Sequence, residues 1–146
     1  MGTLLDTTVF IELERVTRVQ PSEGGMARVI GPLEAQLGEG EEVGIAAITA
    51  SELLHGVHRA SDEHRGRREA FVETVLSAFP VLSFDLLVAR IHARLWASLA
   101  AAGTDVGAHD RLVAATAVSA GWRLVTANTR HFEVISGLDV VSVQTS

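Results

Sequence analysis

The sequence predicts an α/β domain in which a parallel sheet is covered by helices on both faces, and two observations carry that prediction. Short apolar runs alternate with stretches of helical periodicity along the chain, and alternation of this kind implies right-handed crossovers between parallel strands. Val43 to Ile48 is one continuous apolar run, the pattern of a strand buried on both sides. At 146 residues the chain has the length of a single domain, able to bury about two-thirds of its unfolded surface in one core. Residues 1–146 are therefore read as one unit.

Thr3-Leu4-Leu5 begins a short strand stopped by Asp6, and Val9 to Glu14 then reads as helix. Gln20 to Gly25 is a loop by its turn residues, after which Met26, Val29, Ile30, Leu33 and Leu37 recur at helical spacing until Gly38-Glu39-Gly40 ends the pattern. The run Val43–Ile48 passes straight into a helix that starts around Thr49 to Leu54. Phe71, Val72, Val75, Leu76 and Phe79 mark a further helix ending before Pro80. Val81 to Phe84 reads as strand, and Asp85 as the cap of a long helix through Ala102. Ala108 to Ala120 is an alanine-rich helix, Arg123 to Thr126 a strand, the surroundings of Phe132 a short helix, and Val140 to Val143 the last strand.

Composition removes several function classes. Apolar residues make up 47% of the chain, yet no run approaches the roughly 20 residues needed to span a bilayer, so a soluble protein without a membrane partner is expected. The N-terminus shows no basic region or cleavage site of a signal peptide, and there is no cysteine for disulfides or thiolate chemistry. A cytoplasmic location follows by default. All basic residues are arginine and none is lysine, which excludes Schiff-base chemistry and a Walker-type phosphate loop. A net charge of −6 argues against broad attraction to polyanions. Arg59, His64, Arg65, Arg67 and Arg68 nevertheless crowd beside Asp62, Glu63 and Glu69; this stretch reads either as a local nucleic-acid contact or as a solvated helix face with internal ion pairs.

Asp6, Glu52, Asp110 and Asn128 each stand where an apolar run ends or a helix begins. In open parallel sheets ligands gather beyond the carboxyl ends of the strands, so one sheet edge can collect all four. Three carboxylates gathered there call for raised pKa values or a cation between them, and an oxygen-only donor set suits Mg²⁺ or Mn²⁺. Each position also has a structural reading. Glu52 fits a capping box over Thr49-Ala50-Ser51-Glu52, Asp6 an N-cap before Thr7-Thr8, Asp110 a helix-dipole charge, and Asn128 a turn residue or cap.

Other constellations have less support. Glu52-Leu53-Leu54-His55 has Glu-x-x-His spacing but occurs once, where a di-iron bundle needs two copies. His55 and His58 have no third histidine nearby to complete a zinc site, and no Gly-x-Ser-x-Gly elbow accompanies the serines.

Four segments together resemble, in order and spacing, the sequence blocks of PIN-domain ribonucleases, specifically VapC-type toxins: Leu4 to Glu12, Ala47 to Gly56, Gly107 to Ala117 and Leu124 to Phe132. The resemblance implies a five-stranded parallel sheet between helices and Mg²⁺- or Mn²⁺-dependent endonucleolytic cleavage of RNA. It further implies that Asp6 and Asp110 are direct metal ligands, that Glu52 acts directly or through metal-bound water, and that Asn128 holds the fourth place. Many members carry aspartate there, so Asn128 removes one charge. Thr7 or Thr126 would offer a hydroxyl to a bound water or phosphate. A small VapB-like antitoxin partner and a homodimer are also implied. Two rivals come from other classes. A phospho-receiver domain requires a lysine that this chain lacks, and an inactive PIN-fold interaction module would bind RNA or a protein partner without cutting.

Overall fold

A computed structural model of the protein describes residues 2–19 and 40–143. The helix expected over Met26 to Leu37 lies outside the described residues. Five strands form one all-parallel sheet: β1 (Gly2–Leu5), β2 (Glu42–Ala46), β3 (Val81–Leu82), β4 (Arg123–Thr126) and β5 (Val140–Ser142). Their spatial order is β3-β2-β1-β4-β5. The described helices are α1 (Thr7–Val19), α2 (Ala47–Arg59), α3 (Asp62–Ala78), α4 (Leu86–Ala101) and α5 (Ala108–Ala120), with a 3₁₀ turn at Thr129–His131.

Because successive strand side chains point to opposite faces, the three central strands feed two separate cores. Leu5, Ile45 and Val125 join one cluster with Phe10 and Leu13 of α1, Leu53 and Val57 of α2, and Val72 and Val75 of α3. Their neighbours Leu4, Ala46 and Leu124 join the other, with Leu99 of α4, Val113, Ala114 and Ala117 of α5, and Phe132. Phe10 and Phe79 add a tilted ring contact at 5.8 Å on the first face. On the second face, small residues let α5 lie close to the sheet: Ala114, Ala115 and Ala117 are fully buried. Gly121 ends α5 in the left-handed region at φ 69°, and the next residue, Trp122, packs where a Cβ on Gly2 would overlap its indole.

The expected parallel sheet with helices on both faces is what forms, and the differences are in boundaries. Helix α2 begins at Ala47, so Ile48 is helical, and α3 begins at Asp62 where apolar periodicity is absent. Strand β3 is a two-residue edge strand paired with β2, and Asp85 soon caps α4 by accepting from the Val88 N–H at 3.0 Å. Among the described residues no helix is long and apolar enough to cross a membrane.

Candidate active site

Parallel register sets the inner corner of the site. β1 and β4 pair Leu5 with Val125, so the next residues, Asp6 and Thr126, arrive at the same level beyond the sheet. The Asp6 backbone N–H donates to the Val125 carbonyl at 3.0 Å. Its carboxylate is buried, and Oδ2 accepts from the hydroxyls of Thr8 and Thr126, each at 2.9 Å. Those two hydroxyls lie 3.1 Å apart. They also receive the backbone N–H groups of Ala127 (to Thr8) and Asn128 (to Thr126), both at 3.0 Å. Asp6 is thus held by side-chain hydroxyls that themselves anchor the chain leaving β4.

The second acid comes from α2. Glu52 Oε1 accepts from the Thr7 hydroxyl at 2.8 Å, which ties α2 to the residue directly after Asp6. Its other oxygen, Oε2, has His109 Nδ1 at 3.4 Å. The capping-box alternative does not form, since α2 starts ahead of Thr49 with Ala46 as its N-cap and no side-chain cap bond.

Asp110 sits in the first turn of α5, where the helix dipole favours a negative charge. Its Oδ2 pairs with His131 Nδ1 at 3.0 Å. The Asn128 side chain meets the same imidazole, with Nδ2 3.1 Å from Nε2 and 3.3 Å from Nδ1. Asn128 precedes the 3₁₀ turn without capping it through its side chain. Burial is the main cause that holds the Asp110 carboxyl above the ordinary carboxylate range; the charges of Asp6 and Glu52 push the same way, and His131 opposes them.

The four predicted positions therefore converge from the ends of β1 and β4 and from α2 and α5. Each acid faces a protein donor: Asp6 two hydroxyls, Glu52 a hydroxyl and an imidazole, Asp110 an imidazole. As these side chains stand, no three acidic or imidazole groups among the described residues close into a cage for an ion. The donor chemistry still fits a hard divalent cation, because the set is oxygen-rich and Asp110 is raised in part by the other two acids. Sequence reading missed Thr8, His109 and His131. The only signal was position: Thr8 two residues past Asp6, His109 beside Asp110, His131 three past Asn128.

In the arginine-rich stretch, Arg65 forms an ion pair within its own helix, Arg68 pairs with α1, and Arg67 meets a histidine. Arg65 pairs with Asp62 at 2.7 Å, Arg68 with Glu14 at 3.0 Å, and Arg67 meets His64 at 2.8 Å. His55 and His58 are exposed on α2.

The family model described as PIN domain matches residues 3–138. Ribonuclease VapC1 of Rickettsia felis is 36% identical over 146 residues, covering 98% of this chain and 97% of its own. A tRNA(fMet)-specific endonuclease VapC of Salmonella typhimurium is 36% identical over 96 residues, which are 66% of this chain and 71% of the relative. Among solved structures, DNA-bound VapBC from Salmonella typhimurium superposes with a TM-score of 0.80 at 28% identity, covering 99% of both chains.

Proposed function

This chain belongs to the PIN-domain family and, within it, to the VapC ribonuclease toxins, and from that premise we propose that it hydrolyses RNA phosphodiester bonds with Mg²⁺ or Mn²⁺ held by Asp6, Glu52 and Asp110. The observation that carries this reading is the convergence of three carboxylates from β1, α2 and α5 on one sheet edge, close enough for Asp6 and Glu52 to raise Asp110. A bound divalent cation would supply Lewis acidity, activating water and offsetting charge on the phosphoryl oxygens.

The chain's own groups divide the remaining work. Asp6 is the fixed point, its carboxylate locked by Thr8 and Thr126 at the rigid end of the sheet. Glu52 is oriented through Oε1 by Thr7, which leaves Oε2, with only a long contact to His109, as the acceptor for the proton of the attacking water. Asp110 shares the site from the N-terminus of α5. No protein nucleophile is required.

The RNA is selected by shape and unpaired bases rather than by these acids. A structured RNA is the substrate class, and initiator tRNA is the first to try, because the Salmonella relative bears that specificity in its name. The reaction is placed in the cytoplasm.

A VapB-like antitoxin is the proposed protein partner. The groove between α1, α2 and α3, about 230 Å³ and lined by Thr7, Ile11, Glu52 and Leu53 and by the Arg68–Glu14 ion pair, would receive an antitoxin segment. It joins an exposed apolar side chain, Ile11 at 59%, to an acid of the site, so an apolar anchor followed by an arginine would seal it. The exposed rings of Phe84 and Trp96, which meet His92 between them at 5.8 Å each, are the face proposed to pair two copies.

The test is cleavage of a pool of structured RNAs, initiator tRNA included, by antitoxin-free protein in Mg²⁺, Mn²⁺ or EDTA, beside an Asp6→Asn control. Discrete cuts that need metal and vanish in the control are expected. Intact RNA under every condition from folded protein would overturn the reading in favour of an inactive interaction module, which retention of all three acids argues against.

A further inference from the structure

We propose that Arg130 is the phosphate anchor of the site, its guanidinium holding a backbone phosphate of the RNA beside the three acids. The proposal deepens the ribonuclease reading above and rests on it. Electrostatics sets the need. Three ionised carboxylates outweigh one divalent cation, and the whole chain carries a net charge of −6, so a polyanion approaching this sheet edge is repelled unless a local cation offsets the acids.

Two arginines stand beside site residues in the sequence: Arg111 directly follows Asp110, and Arg130 lies two residues past Asn128. Arg111 is committed to its own surroundings. Its Nη1 donates to the Val106 carbonyl, and its guanidinium carbon lies 4.9 Å from the centre of the Trp96 ring. Arg130 is exposed, and its guanidinium has no hydrogen-bond or ion-pair partner among the described residues. Arg59, Arg90 and Arg94 are likewise exposed and unpartnered among the described residues, but they stand elsewhere. Arg59 is in the last turn of α2, about two turns beyond Glu52, and Arg90 and Arg94 are on α4, which carries none of the four site residues.

The backbone that carries Arg130 is fixed while its head is free. The Asn128 N–H is pinned to the buried Thr126 hydroxyl at 3.0 Å. The N–H groups of Phe132 and Glu133 both donate to the Thr129 carbonyl at 3.0 Å, and the Phe132 ring is fully buried in the α4–α5 core. The same turn borders the acids, since the next residue, His131, places Nδ1 3.0 Å from Asp110 Oδ2. Binding a phosphate here would therefore order one side chain and no backbone. The planar fork of an arginine matches two phosphate oxygens at once.

The test is the salt dependence of RNA binding, read without metal and without cleavage. Fluorescein-labelled initiator tRNA is titrated by anisotropy with the full antitoxin-free chain in EDTA, as KCl is raised from about 50 to 200 mM. In Arg130→Gln the slope of log K against log[KCl] is expected to be shallower by about 0.7, the loss of one phosphate contact, with binding about 10-fold weaker at the low-salt end. Arg130→Lys should recover most of the slope, because a point charge still pairs with phosphate. Arg59→Gln should keep the parent slope. The proposal is overturned by an Arg130→Gln line that overlays the parent's, by an Arg59→Gln loss that exceeds that of Arg130→Gln, or by a parent chain that does not bind the tRNA. Thermal unfolding of Arg130→Gln should match the parent, since the guanidinium holds nothing in the fold; a clearly lower melting temperature would assign the weaker binding to a displaced turn and overturn the anchor. Intact RNA in the metal-dependent cleavage assay strikes the ribonuclease reading instead, so the two failures are told apart.

Discussion

The two corners of the site hold like charges in unlike ways. Asp6 is 4% exposed and is gripped by the neutral hydroxyls of Thr8, in the first turn of α1, and Thr126, at the end of β4. Glu52 and Asp110 stand at the outer side, on helices, with exposed imidazoles as partners. A buried carboxylate without donors would be costly, and the Thr8–Thr126 pair removes that cost by construction. The outer acids keep solvent access and need only be steered. The contrast teaches that the inner corner is part of the fold, while the outer corner keeps solvent access and room to reorient.

Loss of either acid is the strongest way to probe this. Asp6→Asn and Asp110→Asn are each expected to lower the cleavage rate by more than about 100-fold, read from single-turnover kinetics on a cut RNA, while circular dichroism shows an unchanged fold. Cleavage at the parent rate by either would show the site is wrongly placed. Next in size is the hydroxyl pair. Thr126→Val keeps the shape but strips Asp6 of a donor and the Asn128 N–H of its acceptor, so urea unfolding should show a loss of about 1–3 kcal/mol. Thr7→Val, at the outer corner, should cost clearly less. Equal losses would erase the distinction between the corners.

A subtler effect concerns Asp110 itself. Its folded pKa is raised, so the folded state binds a proton more tightly than the unfolded chain, and this carboxyl's contribution to stability falls as pH rises through the interval from its ordinary pKa to the raised one. Asp110→Asn should therefore raise the melting temperature at neutral pH even as it abolishes cleavage. Likewise Asp6→Asn should lower the Asp110 pKa in ¹³C carboxyl titrations, since Asp6 is one of its causes. An unchanged pKa would mean the two acids do not sense each other. The smallest change belongs to His109→Ala. Its contact with Glu52 is 3.4 Å long and exposed, so stability should shift by no more than about 0.5 kcal/mol; a larger loss would make the outer corner structural too.

Much of this architecture was legible in the chain, for reasons that can be named. Val43 to Ile48 announced a doubly covered strand because burial on both faces leaves no polar alternation to write, and Asp85 was readable as a cap because capping is a local bond. Helix α3 was half hidden: Asp62 to Ala70 carries almost no apolar periodicity, and the helix meets the core through Val72 and Val75, buried, with Phe71 and Leu76 half-buried beside them. The acids were suggested by their places where apolar runs end or helices begin. Thr8 and His131 were not, since a threonine after an aspartate and a histidine in a short turn are ordinary until their partners are known. The capping reading of Glu52 failed for a related reason: the competing bond to Thr7 spans 45 residues, a distance no local pattern encodes.

What the sequence determined by itself is the alternation of strand and helix, and with it a parallel sheet whose ligand edge lies beyond Leu5 and Thr126. Periodicity records burial, and burial here is set by one element at a time. Only the tertiary structure decided which oxygen of each acid is engaged and by whom. Those contacts depend on register between β1 and β4 and on the seating of α2 and α5, and register is fixed by the summed packing of both cores rather than by any residue in the site.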